Sequence, residues 1–313
     1  MNNTLVPMTV IGGFLGAGKT TLVNRLLQDN TAIRFAVLVN DFGDLAIDDE
    51  LITSHDGETI ALANGCICCT IGDDLVATIM DLMDREVPPQ HLVVEASGVS
   101  DPRLIAELGS LCPGLIRDLT IVVVDVAEIM NQWSDERLRE TVDRQISSAN
   151  LIVMSKIDTQ DDESTLLVES WLHQQAPDIA IIRSSDGAIP FNFFTDLSVD
   201  KALISTDSHQ TNSNDSSINH RHSDIFRTIT LTVPPALSME KFREKVSLLP
   251  RSVLRAKGFV RLAGDDYLLQ KVGRNYTLSR QSTDQFIGLP NAIKNAIVLI
   301  CVTGMPLGNW FDE

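Results

Sequence analysis

Positive charge is in short supply in this chain. Its 313 residues include 25 Lys and Arg against 42 Asp and Glu, a formal net charge of -17. At a pI near 4.7 no broad basic face is expected, so general binding to nucleic acid or to an anionic membrane surface is excluded. Long apolar runs are missing as well. No stretch reaches the ~18 apolar residues that a membrane-spanning helix needs. The opening residues, Met1-Asn2-Asn3-Thr4, have neither the basic head nor the apolar core of a secretion signal. Cysteine is scarce and odd in number: five, three of them within residues 66–69. That count does not build a disulfide framework and reads as reduced thiols. The expected location is therefore the cytoplasm, with no nucleic acid and no membrane as partner.

What is present suffices for a packed core, since 44% of the residues are hydrophobic. The length corresponds to about two domains at ~150 residues each. Apolar, β-rich runs occur at residues 8–11, 35–39, 92–94, 119–124, 151–154 and 179–182. Helix-like segments lie between them, at 19–28, 73–84, 101–111, 134–148 and 161–175. Strands alternating with helices predict an α/β domain with a mainly parallel sheet. Continuous apolar runs are the pattern of strands buried on both faces.

Composition changes at residues 200–224, which are rich in Ser, Asn, Asp, Thr and His and nearly devoid of apolar residues. This reads as a linker. Beyond it, residues 225–233 alternate like a half-buried strand. A helix is expected at 238–249, and further strands at 253–262, 267–272 and 297–302. The organisation is then an α/β domain at 1–199, a linker at 200–224 and a smaller α+β C-terminal domain at 225–313.

Gly13-Phe14-Leu15-Gly16-Ala17-Gly18-Lys19-Thr20 fits the phosphate-binding P-loop, and it stands between a strand and a helix as that motif requires. Glycines let the backbone wrap so that its N–H groups meet phosphate oxygens, and the helix N-terminus adds a favourable dipole. Lys19 would reach the β- and γ-phosphates. The Thr20 hydroxyl would ligate Mg²⁺, and Thr21 follows it into the helix. A carboxylate must stand near that ion. Glu95, in Glu95-Ala96-Ser97-Gly98 at the end of a strand, is the first candidate, and Gly98 would approach the γ-phosphate. Asp125 is the second.

Ser155-Lys156-Ile157-Asp158 also follows a strand. It is similar to the Asn-Lys-x-Asp element that reads guanine, with Ser155 where Asn is usual. A carboxylate at Asp158 accepts from N1–H and the 2-amino group of guanine, donors that adenine lacks, so GTP is favoured over ATP. Ser184-Ser185, after the next strand, would either pack behind the base or form a plain turn.

Gly65-Cys66-Ile67-Cys68-Cys69 is the most unusual segment. Thiolates are soft ligands suited to Zn²⁺ or Cu⁺, and Cys66 and Cys68 would chelate one ion with Cys69 beside them. A redox pair or a packed apolar turn are the other readings. Asp41 and Asp44 precede this segment in an acidic loop, where they would add oxygen ligands to the same metal, help to hold Mg²⁺, or simply serve as N-caps in a solvated loop. Cys112 and Cys301 are expected to be core residues. His209, His220 and His222 lie in the linker, where they either collect metal weakly or are simply solvated.

In combination these motifs resemble the CobW-type GTPases, a family of metallochaperones and metal-insertion factors. The likeness spans nearly the whole chain: the Gly12-Gly13 to Thr20-Thr21 run, the Asn40-Asp41-Phe42-Gly43 loop, Gly65-Cys66-Ile67-Cys68-Cys69, Glu95-Ala96-Ser97-Gly98, the His-bearing linker and Val253-Leu254-Arg255-Ala256-Lys257-Gly258. The Cys-x-Cys-Cys element is the specific one. Asp41 stands where the family usually carries Glu. The resemblance implies that Cys66, Cys68 and Cys69 bind a delivered metal, zinc or in some branches cobalt. It implies that Lys19, Thr20 and Glu95 serve nucleotide and Mg²⁺, and that Ser155, Lys156 and Asp158 lie at guanine. The expected activity is slow GTP hydrolysis that hands the metal to a client metalloprotein. It is slow because no arginine finger or water-orienting glutamine is evident. The alternatives are a cobalt-handling or nucleotide-dependent factor of cobalamin or other metallocofactor assembly, and a non-catalytic metal sensor or store. Oligomeric state is left open.

Overall fold

The computed structural model describes residues 5–29, 34–39, 58–61, 71–185, 189, 226–250, 252–281, 295–302 and 310–311. Cα proximity divides the chain into two units, Met1–Phe194 and Thr195–Glu313.

In the first unit, seven described strands form one sheet in the order β3-β2-β4-β1-β5-β6-β7. They are β1 (Val6–Gly13), β2 (Phe35–Val39), β3 (Glu58–Ala61), β4 (His91–Glu95), β5 (Leu115–Asp125), β6 (Leu151–Ser155) and β7 (Ala180–Arg183). Every pairing among them is parallel. The apolar runs explain this. Every residue of β1, β2, β4 and β6 is buried, which requires cover on both faces. Helices supply it: α1 (Lys19–Asp29), α2 (Ile71–Met83), α3 (Pro102–Ser110), α4 (Ile129–Ser134), α5 (Glu136–Ser148) and α6 (Asp162–Gln175). One apolar cluster joins Met8, Val94, Leu75, Ile79 and Ile105. Another joins Val124, Ile152, Val142, Ile146 and Leu172. Helix starts follow the sequence: Asp101, Asp135 and Asp161 each accept a backbone N–H at their helix N-terminus, satisfying donors that would otherwise be orphaned.

Register matters for function. Glu95 ends β4 opposite Ile11, Gly13 ends β1 opposite Val123, and Asp125 ends β5 opposite Ser155 at the end of β6. The candidate residues therefore share the carboxyl edge of one sheet, where parallel α/β sheets present their ligand sites.

In the second unit, five described strands form an antiparallel sheet in the order β11-β10-β9-β12-β8. Its strands are β8 (Phe226–Thr232), β9 (Val253–Leu262), β10 (Asp265–Val272), β11 (Asn275–Arg280) and β12 (Ala296–Val302), and α7 (Met239–Ser247) covers one face. Phe242 of α7 is fully buried and stacks on Phe311, centroids 5.6 Å apart. Among the described residues, four elements escape the sequence reading: β3, α4, β11 and a single 3₁₀ turn at Ile157–Thr159. The expected linker at 200–224 lies outside the described residues. Among the described residues no helix is long and apolar enough to cross a membrane.

Candidate functional site

The loop after β1 turns sharply because of where Gly13 sits. Its φ is +134°, and a Cβ there would meet the Val123 carbonyl oxygen at 2.3 Å; only glycine fits. The loop closes on itself through Ala17 N–H donating to the Phe14 carbonyl at 3.1 Å, and α1 begins at Lys19. Lys19 is buried, and its Nζ donates to the Phe14 carbonyl at 3.2 Å. The ammonium is thus folded over the loop.

Leu15, Gly16, Gly18, Thr20 and Thr21 line a cleft of about 250 Å³ with Glu95, Ala96, Ser97 and Gly98 on its other wall. Thr20 Oγ1 donates to Glu95 Oε1 at 2.9 Å, bridging 75 positions of sequence. Glu95 is buried. Gly98 presses so tightly on the phosphate loop that a Cβ would lie 2.7 Å from the Leu15 backbone nitrogen. Beside it, Ser97 Oγ is buried without a hydrogen-bond partner among the described residues. A hydroxyl–carboxylate pair at the foot of a backbone-lined cleft is an oxygen donor set of the kind a hard divalent cation prefers. The residues present therefore fit a nucleotide phosphate chain with Mg²⁺.

Asp125, the second candidate for the magnesium carboxylate, is engaged elsewhere. Its Oδ2 accepts from Lys156 Nζ at 2.7 Å and its Oδ1 accepts from Ala127 N–H at 2.9 Å. The reason is register: Asp125 lies opposite Ser155, so the residue after Ser155 reaches it. Lys156 takes a left-handed backbone, φ 56°, which turns the chain into the Ile157–Thr159 segment. Ser155 is buried, and its hydroxyl donates to the Ala17 carbonyl at 2.7 Å, with the Val124 carbonyl at 3.2 Å as a second neighbour. It ties the loop after β6 to the phosphate loop. Asp158 is exposed at the surface. Ser184 is buried and its N–H donates to the Met154 carbonyl at 2.8 Å.

Cys66, Cys68, Cys69, Asp41 and Asp44 lie outside the described residues, as do His209, His220 and His222. Among the described residues no cluster of three or more His, Cys, Asp or Glu could hold a metal. Cys112 and Cys301 are free thiols buried in the two cores. Burial pushes the Cys112 thiol up and the Cys301 thiol up to about 11.

Residues 7–183 match the model for the CobW/HypB/UreG nucleotide-binding domain. The chain belongs to this family. Residues 226–306 match the cobalamin synthesis protein cobW C-terminal domain, so both units have family counterparts. A protein described as zinc chaperone CobW, from a Sinorhizobium species, is 28% identical over 309 residues, covering 87% of this chain and 86% of that protein. Zinc chaperone YjiA of Escherichia coli is 31% identical over 169 residues, 51% of this chain and 52% of its own. Zinc-regulated GTPase metalloprotein activator 1 of Dictyostelium discoideum is 29% identical over 223 residues, 59% of this chain and 47% of its own. Among solved structures, the Zn(II)-bound YjiA GTPase from E. coli aligns over 97% of this chain and 95% of that one, at 21% identity and a TM-score of 0.47.

Two residues of the site escaped the sequence reading. Ser97 sits inside a motif read only for its ends, Glu95 and Gly98. Gln145 of α5 is buried, and its Nε2 donates to the Gly98 carbonyl at 3.1 Å and the Ser100 carbonyl at 3.2 Å. The signal was available: Gln145 occupies the apolar stripe of α5 together with Val142 and Ile146, where an uncharged polar side chain needs a buried partner.

Proposed function

We propose that this protein is a GTP-dependent metallochaperone that carries zinc and releases it to a client metalloprotein as GTP is hydrolysed. The domain at 1–199 is the GTPase, 200–224 a linker and 225–313 the C-terminal domain. The observation that carries this reading is the cleft itself: Lys19 and Thr20 on one wall, and Glu95 2.9 Å from the Thr20 hydroxyl on the other. Family membership and relatives described as zinc chaperones and a zinc-regulated GTPase support it.

In this reading the loop N–H groups and Lys19 hold the β- and γ-phosphates. Thr20 and Glu95 hold Mg²⁺, which when bound neutralises charge on those phosphates. Asp158 reads guanine, while Ser155 fixes the distance between the base-reading and phosphate loops. Lys156, paired with Asp125, sets the turn that carries Asp158. Zinc is cargo here. Cys66 and Cys68 grip it as thiolates, with Cys69, Asp41 or Asp44 completing the shell. Thiolates must stay reduced for this, so the reading places the protein in the cytoplasm.

Two variants separate the halves of the proposal. Lys19→Ala should weaken GTP binding by at least ~100-fold and leave zinc bound in the absence of nucleotide. Replacing Cys66 and Cys68 by Ser should abolish tight zinc binding and leave metal-free GTP affinity unchanged. Calorimetric titration of both ligands into both variants reads the outcome. Tight GTP binding by the Lys19 variant, or tight zinc binding by the double Cys variant, would refute the corresponding assignment.

A further inference from the structure

The loop between β4 and α3 forms one wall of the phosphate cleft, yet little of its own side-chain chemistry holds it. Ala96 N–H donates to the Ile11 carbonyl at 2.8 Å, and Asp101 accepts the Arg103 N–H at 2.9 Å where α3 begins. Between those anchors Gly98 has no side chain, and Val99 is 43% exposed. A turn forms within the loop, Ser100 N–H to the Ser97 carbonyl at 3.0 Å. Among the described residues, the grip from outside is Gln145. One amide nitrogen supplies both protons, to the Gly98 carbonyl at 3.1 Å and the Ser100 carbonyl at 3.2 Å. The side chain is 3% exposed, so these bonds are protected from competing water.

Peptide planarity makes this a directional device. In a trans peptide the C=O and the following N–H point in opposite directions. Fixing the Gly98 carbonyl toward α5 therefore turns the Val99 N–H away from it. Packing of Gly98 on Leu15 sets the cleft side of the same loop, where the Ser97 hydroxyl is buried without a partner among the described residues.

Resting on the GTPase reading above, the geometry points to Gln145 as a latch that holds the Ser97–Ser100 loop in a γ-phosphate-accepting shape before nucleotide arrives. It is a positioning residue: it touches neither nucleotide nor metal, and acts through two carbonyls. Its effect is confined to the end of the cleft that only a triphosphate reaches. A preformed loop spares the ordering entropy that a loose one must lose on binding.

The test compares two nucleotides in one protein. Gln145→Met keeps the volume and removes both donors. The affinity of the full-length variant for a non-hydrolysable GTP analogue with Mg²⁺ should fall about tenfold, the loss expected for two neutral hydrogen bonds. On the GTPase reading Gly98 meets the γ-phosphate, which GDP lacks, so GDP affinity should stay within about twofold of wild type. Equal loss for both nucleotides, or no loss for either, overturns the latch. Wild-type protein that binds neither nucleotide overturns the GTPase reading, and the latch with it. Hydrogen exchange in the wild type decides the matter even where the variant does not fold. The Ser100 amide, which donates to the Ser97 carbonyl within the loop, should already exchange slowly without nucleotide and gain less than ~tenfold protection from the analogue. Fast exchange that slows only on adding the analogue contradicts a preset loop.

Discussion

Lys271 carries an amine into the apolar interior of the second unit, on a strand it shares with the core residue Leu269. Its Nζ donates to the Gly273 carbonyl. Burial, with Arg274 adding to it, brings its pKa down from 10.5 to about 8. The Cys301 thiol on β12 is displaced the other way, from 9.0 to about 11, chiefly by burial. The two act oppositely on stability. Between pH 8 and 10.5 the unfolded chain holds more protons at Lys271 than the folded one, so stability rises with pH. Between pH 9 and 11 the folded chain holds more at Cys301, so stability falls. The second unit should therefore gain stability from about pH 8 to 9, stay nearly level to about 10.5, and decline beyond it. Lys271→Met removes the buried charge. It should stabilise the unit at pH 7 by up to about 3 kcal/mol, the whole of the Lys271 displacement, and it should abolish the rise between pH 8 and 9. Pulse proteolysis in urea, with fragment size distinguishing the two units, measures both. A variant of unchanged or lower stability at pH 7 would show that Lys271 is stabilised in the fold rather than tolerated by it.

Elements show what the sequence makes legible. Strands β1, β2, β4 and β6 are short apolar runs buried throughout, and that pattern has no competing solution in a chain of alternating helices and strands. The phosphate loop was equally plain, because its glycines are demanded by backbone geometry. What stayed hidden lacks such a signature. β3 reads Glu-Thr-Ile-Ala, too short and mixed to show a period. β11 is an exposed edge strand with a polar sequence. The six-residue α4 is shorter than any reliable helical period. Asp125 could not be separated from Glu95 by sequence, since both end buried strands. Only the register that brings Lys156 to one and Thr20 to the other distinguishes them. At this scale Gly13 gives the sharpest prediction. Gly13→Ala adds a positive-φ penalty and a 2.3 Å approach to the Val123 oxygen. It should lower the stability of the first unit by on the order of 3 kcal/mol, roughly 6–12 °C in Tm, measurable by thermal denaturation. A shift under ~2 °C would mean that the turn after β1 relaxes freely.

At the scale of the whole molecule, the walls of the cleft come from one parallel sheet, and the thiol segment lies between β3 and α2 in the chain. Both walls of the cleft are anchored. Ser155 ties the loop after β6 to the loop after β1, and Gln145 ties the loop after Glu95 to α5. Cys66, Cys68 and Cys69 fall between β3, the neighbour of β2, and α2. Coupling between two sites is reciprocal: if GTP tightens metal binding, metal tightens GTP binding by the same factor. A chaperone needs that coupling, since an ion held equally in every nucleotide state is never delivered. The measurement that bears most directly on this claim is a competitive Zn²⁺ titration of the reduced, full-length protein in three states: nucleotide-free, with GDP and Mg²⁺, and with a non-hydrolysable GTP analogue and Mg²⁺. The analogue alone should tighten zinc binding, by roughly 5–150-fold, the usual range of an allosteric coupling. Equal zinc affinity in all three states would contradict it and leave a passive metal site on an independent GTPase.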